Sequence, residues 1–157
     1  MAQQPQSPET FGDSPPGRIA AIMRQVRTIA IVGASDNPAR ASHRVMQFLA
    51  AHGFEVIAVN PKLAGGQIGD VEAVASLAAI DRPVDMVDVF RASDALPEIV
   101  DEAIAIGAKV LWTQLGVIHD PAAMKAHDAG LAVVVDRCPM IEFAHGALVP
   151  APADAAS

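Results

Sequence analysis

The sequence predicts an α/β fold, a mostly parallel five-stranded sheet with helices on both faces. Three observations predict it. Short β-branched runs alternate with amphipathic helical stretches, and that alternation requires crossover connections between parallel strands. The strand runs are apolar throughout, as expected of strands buried on both faces. Apolar residues make up 52% of the chain but aromatics only 4%, so small and β-branched side chains carry the excess and suit helices packed closely on a sheet.

Each element has its own signal. A helix is expected over 18–26, where Ile19, Ile22, Met23 and Val26 recur on one face. The first strand, 28–32, stops at Gly33-Ala34-Ser35 and is followed by the polar loop 36–40. Ser42 is the expected N-cap of the next helix, which carries Val45, Met46, Phe48 and Leu49 and ends at Gly53. The second strand, 54–59, is stopped by Asn60-Pro61. A loop containing Gly65, Gly66 and Gly69 leads to a short Ala-rich helix near 71–77. The third strand is 86–90, and its helix, 92–106, ends at Gly107. The fourth strand is 109–113. Asp120 is the expected cap of a helix over 121–128, which stops at Gly130 before the fifth strand, 131–135. Segments 1–17 and 150–157 read as a flexible leader and tail around one folded domain, 18–149.

Composition excludes several classes. The formal charge is −7, and no Lys/Arg cluster longer than a pair occurs, which argues against nucleic acid. A single cysteine, Cys138, excludes a disulfide framework and a Cys-rich metal site, and fits a reducing compartment. No apolar run approaches the ~18 residues that span a bilayer, and the polar, Pro-rich start has no secretory pattern. A cytoplasmic protein without a membrane partner is expected. His43, His52, His119, His127 and His145 are scattered and predict no metal site. No nucleophile elbow or Walker A motif appears, so the sequence offers a binding site without a recognisable catalytic set.

The predicted topology is Rossmann-like and doubly wound, and ligands of such sheets sit beyond the carboxyl ends of the strands. Gly33, Ala34 and Ser35 stand where a phosphate-binding turn belongs, although a full G-x-G-x-x-G is missing. Gly33 also suits a tight strand-to-helix turn with no ligand. The second strand ends Val59-Asn60-Pro61-Lys62, without the acid that holds the ribose of NAD. The only nearby acid, Glu55, is at the wrong end of that strand. Lys62 and Arg40 suit an extra phosphate on the adenosine ribose, as in NADP or coenzyme A; the alternatives are a solvated lysine and an Arg40–Asp36 pair. Phe90 and Arg91 can border an adenine or reach phosphate, or serve as a core residue and a cap. Gln114 and the Gly116 backbone can meet a phosphate or a pantetheine amide, while Trp112 suits the core. Cys138 suits either a mixed disulfide with a cofactor thiol or a buried small hydrophobe. Glu142 and His145 can pair.

Five strings stand in order: Val32-Gly33-Ala34-Ser35, Val59-Asn60-Pro61-Lys62, Asp88-Val89-Phe90-Arg91, Trp112-Thr113-Gln114-Leu115-Gly116 and Asp136-Arg137-Cys138. Together they resemble the stand-alone CoA-binding protein family. More distantly they are similar to the CoA-binding domains of the succinyl-CoA synthetase alpha subunit and of NDP-forming acyl-CoA synthetases. The resemblance spans about 18–142. It implies coenzyme A as the cofactor, held by its ADP portion. Gly33, Ala34, Ser35 and Arg40 would meet phosphates, and Asn60, Pro61 and Lys62 would lie near the nucleotide. Phe90 and Arg91 would border the adenosine, and Gln114 and Gly116 the diphosphate or pantetheine. Those synthetases use a second domain with a phosphorylated histidine, so the resemblance implies binding of CoA or a short acyl-CoA without catalysis. An NADP-dependent oxidoreductase and an interaction protein with a vestigial nucleotide site are the alternatives. A second copy of the chain or a partner enzyme are the compatible partners.

Overall fold

A computed structural model describes residues 16–145; the expectations for 1–15 and 146–157 lie outside the described residues. The elements in chain order are α1 (Pro16–Met23), β1 (Thr28–Val32), α2 (Ala41–Ala51), β2 (Glu55–Val59), β3 (Gln67–Ile68), β4 (Val71–Val74), β5 (Met86–Val89), α3 (Leu96–Ala105), β6 (Val110–Thr113), α4 (Asp120–Asp128), β7 (Ala132–Val134) and α5 (Pro139–His145). Short 3-10 turns cover Leu77–Ala79 and Ser93–Ala95. Helix α1 covers Pro16–Met23, starting two residues before and ending three residues before the expected 18–26; proline is well suited to a first helical turn.

The strands form one seven-stranded sheet in the order β3-β4-β2-β1-β5-β6-β7. Every pairing is parallel except β3 with β4. The architecture is therefore Rossmann-like and mostly parallel, with two more strands than expected. The additions replace the short helix predicted near 71–77. Its alanines favour a helix, but Val71 and Ala73 are buried while Glu72 is exposed, a period of two. Gly69-Asp70 forms the tight turn, with Gly69 at φ +61°, so β3 and β4 close as a hairpin and β4 covers the flank of β2.

The sheet is buried on both faces. On one, Ala30, Val32, Val87, Val89 and Leu111 meet Leu96, Ile99, Val100 and Ala103 of α3 and Ala122 and Ala126 of α4. On the other, Ile29, Ile31, Met86 and Trp112 meet Ile19 and Met23 of α1 and Val45, Met46 and Leu49 of α2. Trp112 is fully buried, and its Nε1 donates to the Arg137 carbonyl at 2.8 Å. Arg18 ties α1 to the sheet through the Val133 carbonyl, 3.0 Å away.

Two caps differ from expectation. Helix α2 begins two residues early: Arg40, in extended backbone, is its N-cap, and no side chain caps it. Ser42 is buried inside the first turn. Asp120 is the first residue of α4, and His119 is the cap, its Nδ1 accepting from the Ala122 N–H at 3.2 Å. His119 is the residue in extended backbone just ahead of the helix, where a capping side chain must stand.

Candidate nucleotide site

From β1 the chain winds outward through β2 and β4, then returns to the other side of β1 as β5. The strand order reverses between β1 and β5, and an edge crevice opens at such a point. There a cleft of about 320 Å³ is lined by Gly33, Ser35, Arg40, Ala41, Ser42 and Phe90.

Gly33 is required there on two counts. Its φ is +87°, and a Cβ would lie 3.0 Å from the Phe90 carbonyl oxygen and 3.1 Å from Arg91 Cδ. The loop beyond it is self-organised. Ser35 Oγ accepts from the Asn37 N–H and Asn37 Oδ1 from the Ala39 N–H, both at 3.0 Å. His43 Nδ1 donates to the Ser35 carbonyl at 3.0 Å, which fixes its tautomer. These bonds present the uncapped start of α2 to the cleft through Ala41 and Ser42. Backbone N–H groups without intrahelical partners, backed by the helix dipole, make this end a place for an anion.

Asn60 joins two of the expected segments. Its Nδ2 donates to the Ala34 carbonyl at 2.8 Å, and its Oδ1 accepts from the Lys62 N–H at 2.9 Å. Its side chain thus serves the architecture of the edge. Pro61 and Lys62 are exposed outside the cleft lining, as is Arg91. Among the described residues, Arg40, Lys62 and Arg91 are in no ion pair, so the Arg40–Asp36 alternative is not realised. The contrast is Arg82 at the opposite edge, paired with Glu55, Glu72 and Asp81 at 2.6, 2.8 and 2.9 Å. Glu55 begins β2 and so lies far from any ribose at the carboxyl edge.

The structure brings Gly33, Ser35, Arg40 and Phe90 together, and leaves Gln114 and Gly116 one strand along. Gln114 follows β6 and is buried, its N–H bonded to the Val89 carbonyl. The Gly116 N–H is already held by Asp136 Oδ1 at 2.7 Å, so it is committed within the protein. Cys138 is buried in the core, as a small hydrophobe would be. Glu142 is buried and lies 3.5 Å from Arg137. Among the described residues no group of three His, Cys, Asp or Glu is placed for a metal ion, and no helix is long and apolar enough to cross a membrane.

Sequence reasoning missed Ala41 and Ser42 as cleft residues, because a cleft lined by the backbone of a helix start has no side-chain signature. It also assigned no role to Asp88. This carboxyl is fully buried on β5 with neither oxygen partnered, and burial pushes it well above the usual carboxylate range. Its signal was available: an acid in the strand run Met86-Val87-Asp88-Val89.

Residues 27–144 match the family described as CoA binding domain. The uncharacterized protein YneT of Bacillus subtilis is 39% identical over 127 residues, covering 81% of this chain and 91% of that protein. A hypothetical protein from Pyrococcus horikoshii OT3 superposes with a TM-score of 0.81 at 33% identity, covering 92% of this chain and 98% of that one. A dinucleotide-forming acetyl-coenzyme A synthetase 1 from Ca. Korarchaeum cryptofilum, at 21% identity and a TM-score of 0.61, shares the fold over 71% of this chain and 27% of its own.

Proposed function

Because this chain belongs to the CoA binding domain family, we propose that it binds coenzyme A through the ADP portion at the carboxyl edge of β1, β2 and β5. The observation that carries the reading is the pairing of an uncapped α2 N-terminus with a glycine turn of positive φ, where a Cβ would crowd the Phe90 carbonyl. This is a cradle for a diphosphate. The residues fit the rest of the cofactor as well. No carboxylate stands at the end of β2 to take a free ribose hydroxyl pair, and among the described residues Lys62 and Arg40 are in no ion pair. They serve the ribose 3′-phosphate, Arg40 as a fork and Lys62 as a point charge.

Phe90, half-buried at the cleft, supplies an apolar wall for the adenosine. The cleft suits the diphosphate and ribose, and the pantetheine arm then runs along the edge past β5 toward Gln114. Free CoA and a short acyl-CoA share all these contacts.

Calorimetric titration of nucleotide-free protein tests the reading. Saturable 1:1 CoA binding is expected, weakened about ten-fold or more in dephospho-CoA by loss of the charge-assisted contacts. Tighter binding of NADP than of CoA, or no binding of either, overturns it.

A further inference from the structure

Asp88 and Gln114 are an unmatched pair of buried polar side chains on one face of the sheet. Asp88 is in register with Ile31 on one side and Trp112 on the other. Ile31 and Trp112 both face the layer formed by α1 and α2, so the Asp88 side chain points there too. Gln114 lies two residues beyond Trp112, and Phe90, a cleft residue, lies two beyond Asp88. A period of two places all of them on that face. Diagonal neighbours of this kind have Cα atoms about 7–8 Å apart, a gap that a carboxyl and a glutamine amide can close directly or through one water.

With Gln114 Oε1 turned inward, the two side chains are complementary only when the carboxyl carries its proton. Both Asp88 oxygens and Gln114 Oε1 are buried without a hydrogen-bond partner. Oε1 is an acceptor and a carboxylate is acceptor-only, whereas a carboxylic acid has one donor. Orphaned buried acceptors are costly and are rare in folded proteins. Gln114 Oε1 is the amide atom enclosed by the protein.

We propose that Asp88 is a positioning residue which, as a carboxylic acid, donates to Gln114 Oε1 and so holds the Gln114 N–H groups outward, toward a carbonyl or phosphoryl acceptor of the bound ligand. Loss of the Asp88 proton reverses the arrangement. The carboxylate draws the amide nitrogen inward, and Gln114 then shows the ligand a carbonyl oxygen, which an acceptor avoids. Ionisable groups on the elements packed over this face are Arg18 on α1 and Arg24 in the turn after it, His43 and Arg44 on α2, Arg137 and Cys138 ahead of α5, and Glu142 on it. The rise in the Asp88 carboxyl comes from burial, which keeps the donor form in place.

The proposal rests on the CoA reading for its ligand but not for its hydrogen bond, and the test separates the two. CoA affinity is measured across the pH range in which the fold persists, for the full chain and for Asp88→Asn and Asp88→Leu. The expected wild-type affinity falls as pH rises. Asp88→Asn, which can still donate but cannot ionise, retains binding with a flat profile. Asp88→Leu, which fills the space without a donor, weakens CoA about ten-fold at every pH while its melting curve shows a folded protein. In ligand-free protein, the Gln114 side-chain amide resonances are expected to shift with pH in step with the Asp88 carboxyl carbon, and to stay fixed in Asp88→Asn. Amide resonances that ignore the Asp88 titration overturn the proposal, as does an Asp88→Leu protein that binds as tightly as wild type. If the wild type binds no CoA, the ligand assignment falls, and the resonance experiment still decides the Asp88–Gln114 pair.

Discussion

Asn60 Nδ2 donates to the carbonyl oxygen of Ala34 at 2.8 Å, fastening the end of β2 to the turn that follows β1. The same side chain accepts from the Lys62 N–H, so one residue sets the spacing between the glycine turn and the lysine beside it. Asn60→Ala removes both bonds and leaves the Ala34 carbonyl unpaired. The expected cost is about 1–2 kcal/mol of stability, with weaker CoA binding, read by thermal melts and calorimetry. Asn60→Asp cannot donate to Ala34 and should resemble the alanine variant.

Gly33→Ala forces a Cβ to within 3.0 Å of the Phe90 carbonyl oxygen in a backbone of positive φ. The exposed Arg91 side chain can move aside but the Phe90 carbonyl is main chain, so the backbone of the turn or of the strand end must give. A loss of about 1–3 kcal/mol is expected, and CoA binding should fall below detection. An alanine variant with wild-type stability and affinity would contradict the tight-turn account.

Asp136 is the one non-glycine residue of positive φ among those described, at +61°. Its N–H is held by Thr113 Oγ1 at 3.0 Å, and its Oδ1 holds the Gly116 N–H at 2.7 Å. Asparagine tolerates this backbone and keeps the acceptor, so Asp136→Asn should change stability by less than about 0.5 kcal/mol. Asp136→Ala keeps the strain, loses the acceptor and should cost about 1–3 kcal/mol. Urea denaturation of both variants distinguishes the outcomes.

Asp88 makes stability fall as pH rises. Below the unfolded carboxyl range, about pH 4, both states hold the proton. Above it the unfolded chain ionises while the buried acid stays protonated, because its folded value is raised. Unfolding then releases a proton, so stability is lost progressively up to the folded value. Asp88→Asn has no such dependence. The variant should gain melting temperature relative to wild type as pH rises above about 4, with no gain below it. A constant difference between the two across pH would refute the buried neutral acid.

Much of the molecule was legible from local pattern. The run Thr28–Val32 with Gly33 after it, the glycines at helix ends and the apolar faces of α2 and α3 are signals carried within a few residues, and β1, β2, β5, β6, β7, α2 and α4 formed within two residues of their expected limits, while α1 ends three residues early and α3 begins four residues late. The errors were local contests. Alanine content outweighed a two-residue period at Val71–Val74, and Ser42 and Asp120 outcompeted their extended neighbours Arg40 and His119 as caps.

The sequence by itself determined where β1, β2, β5, β6 and β7 and the turns after them lie, and so that Gly33, Arg40, Lys62 and Phe90 follow the carboxyl ends of parallel strands, because strand ends and turn residues obey short-range sterics. Only the tertiary structure decided that β5 lies against β1, so that Phe90 closes over Gly33. It alone decided which polar groups consume each other: Asn60 takes Ala34, Asp136 takes Gly116, and both Asp88 oxygens are buried without a hydrogen-bond partner. Those pairings join residues remote in the chain, and they follow from strand order and burial, for which no short stretch of sequence carries a signal.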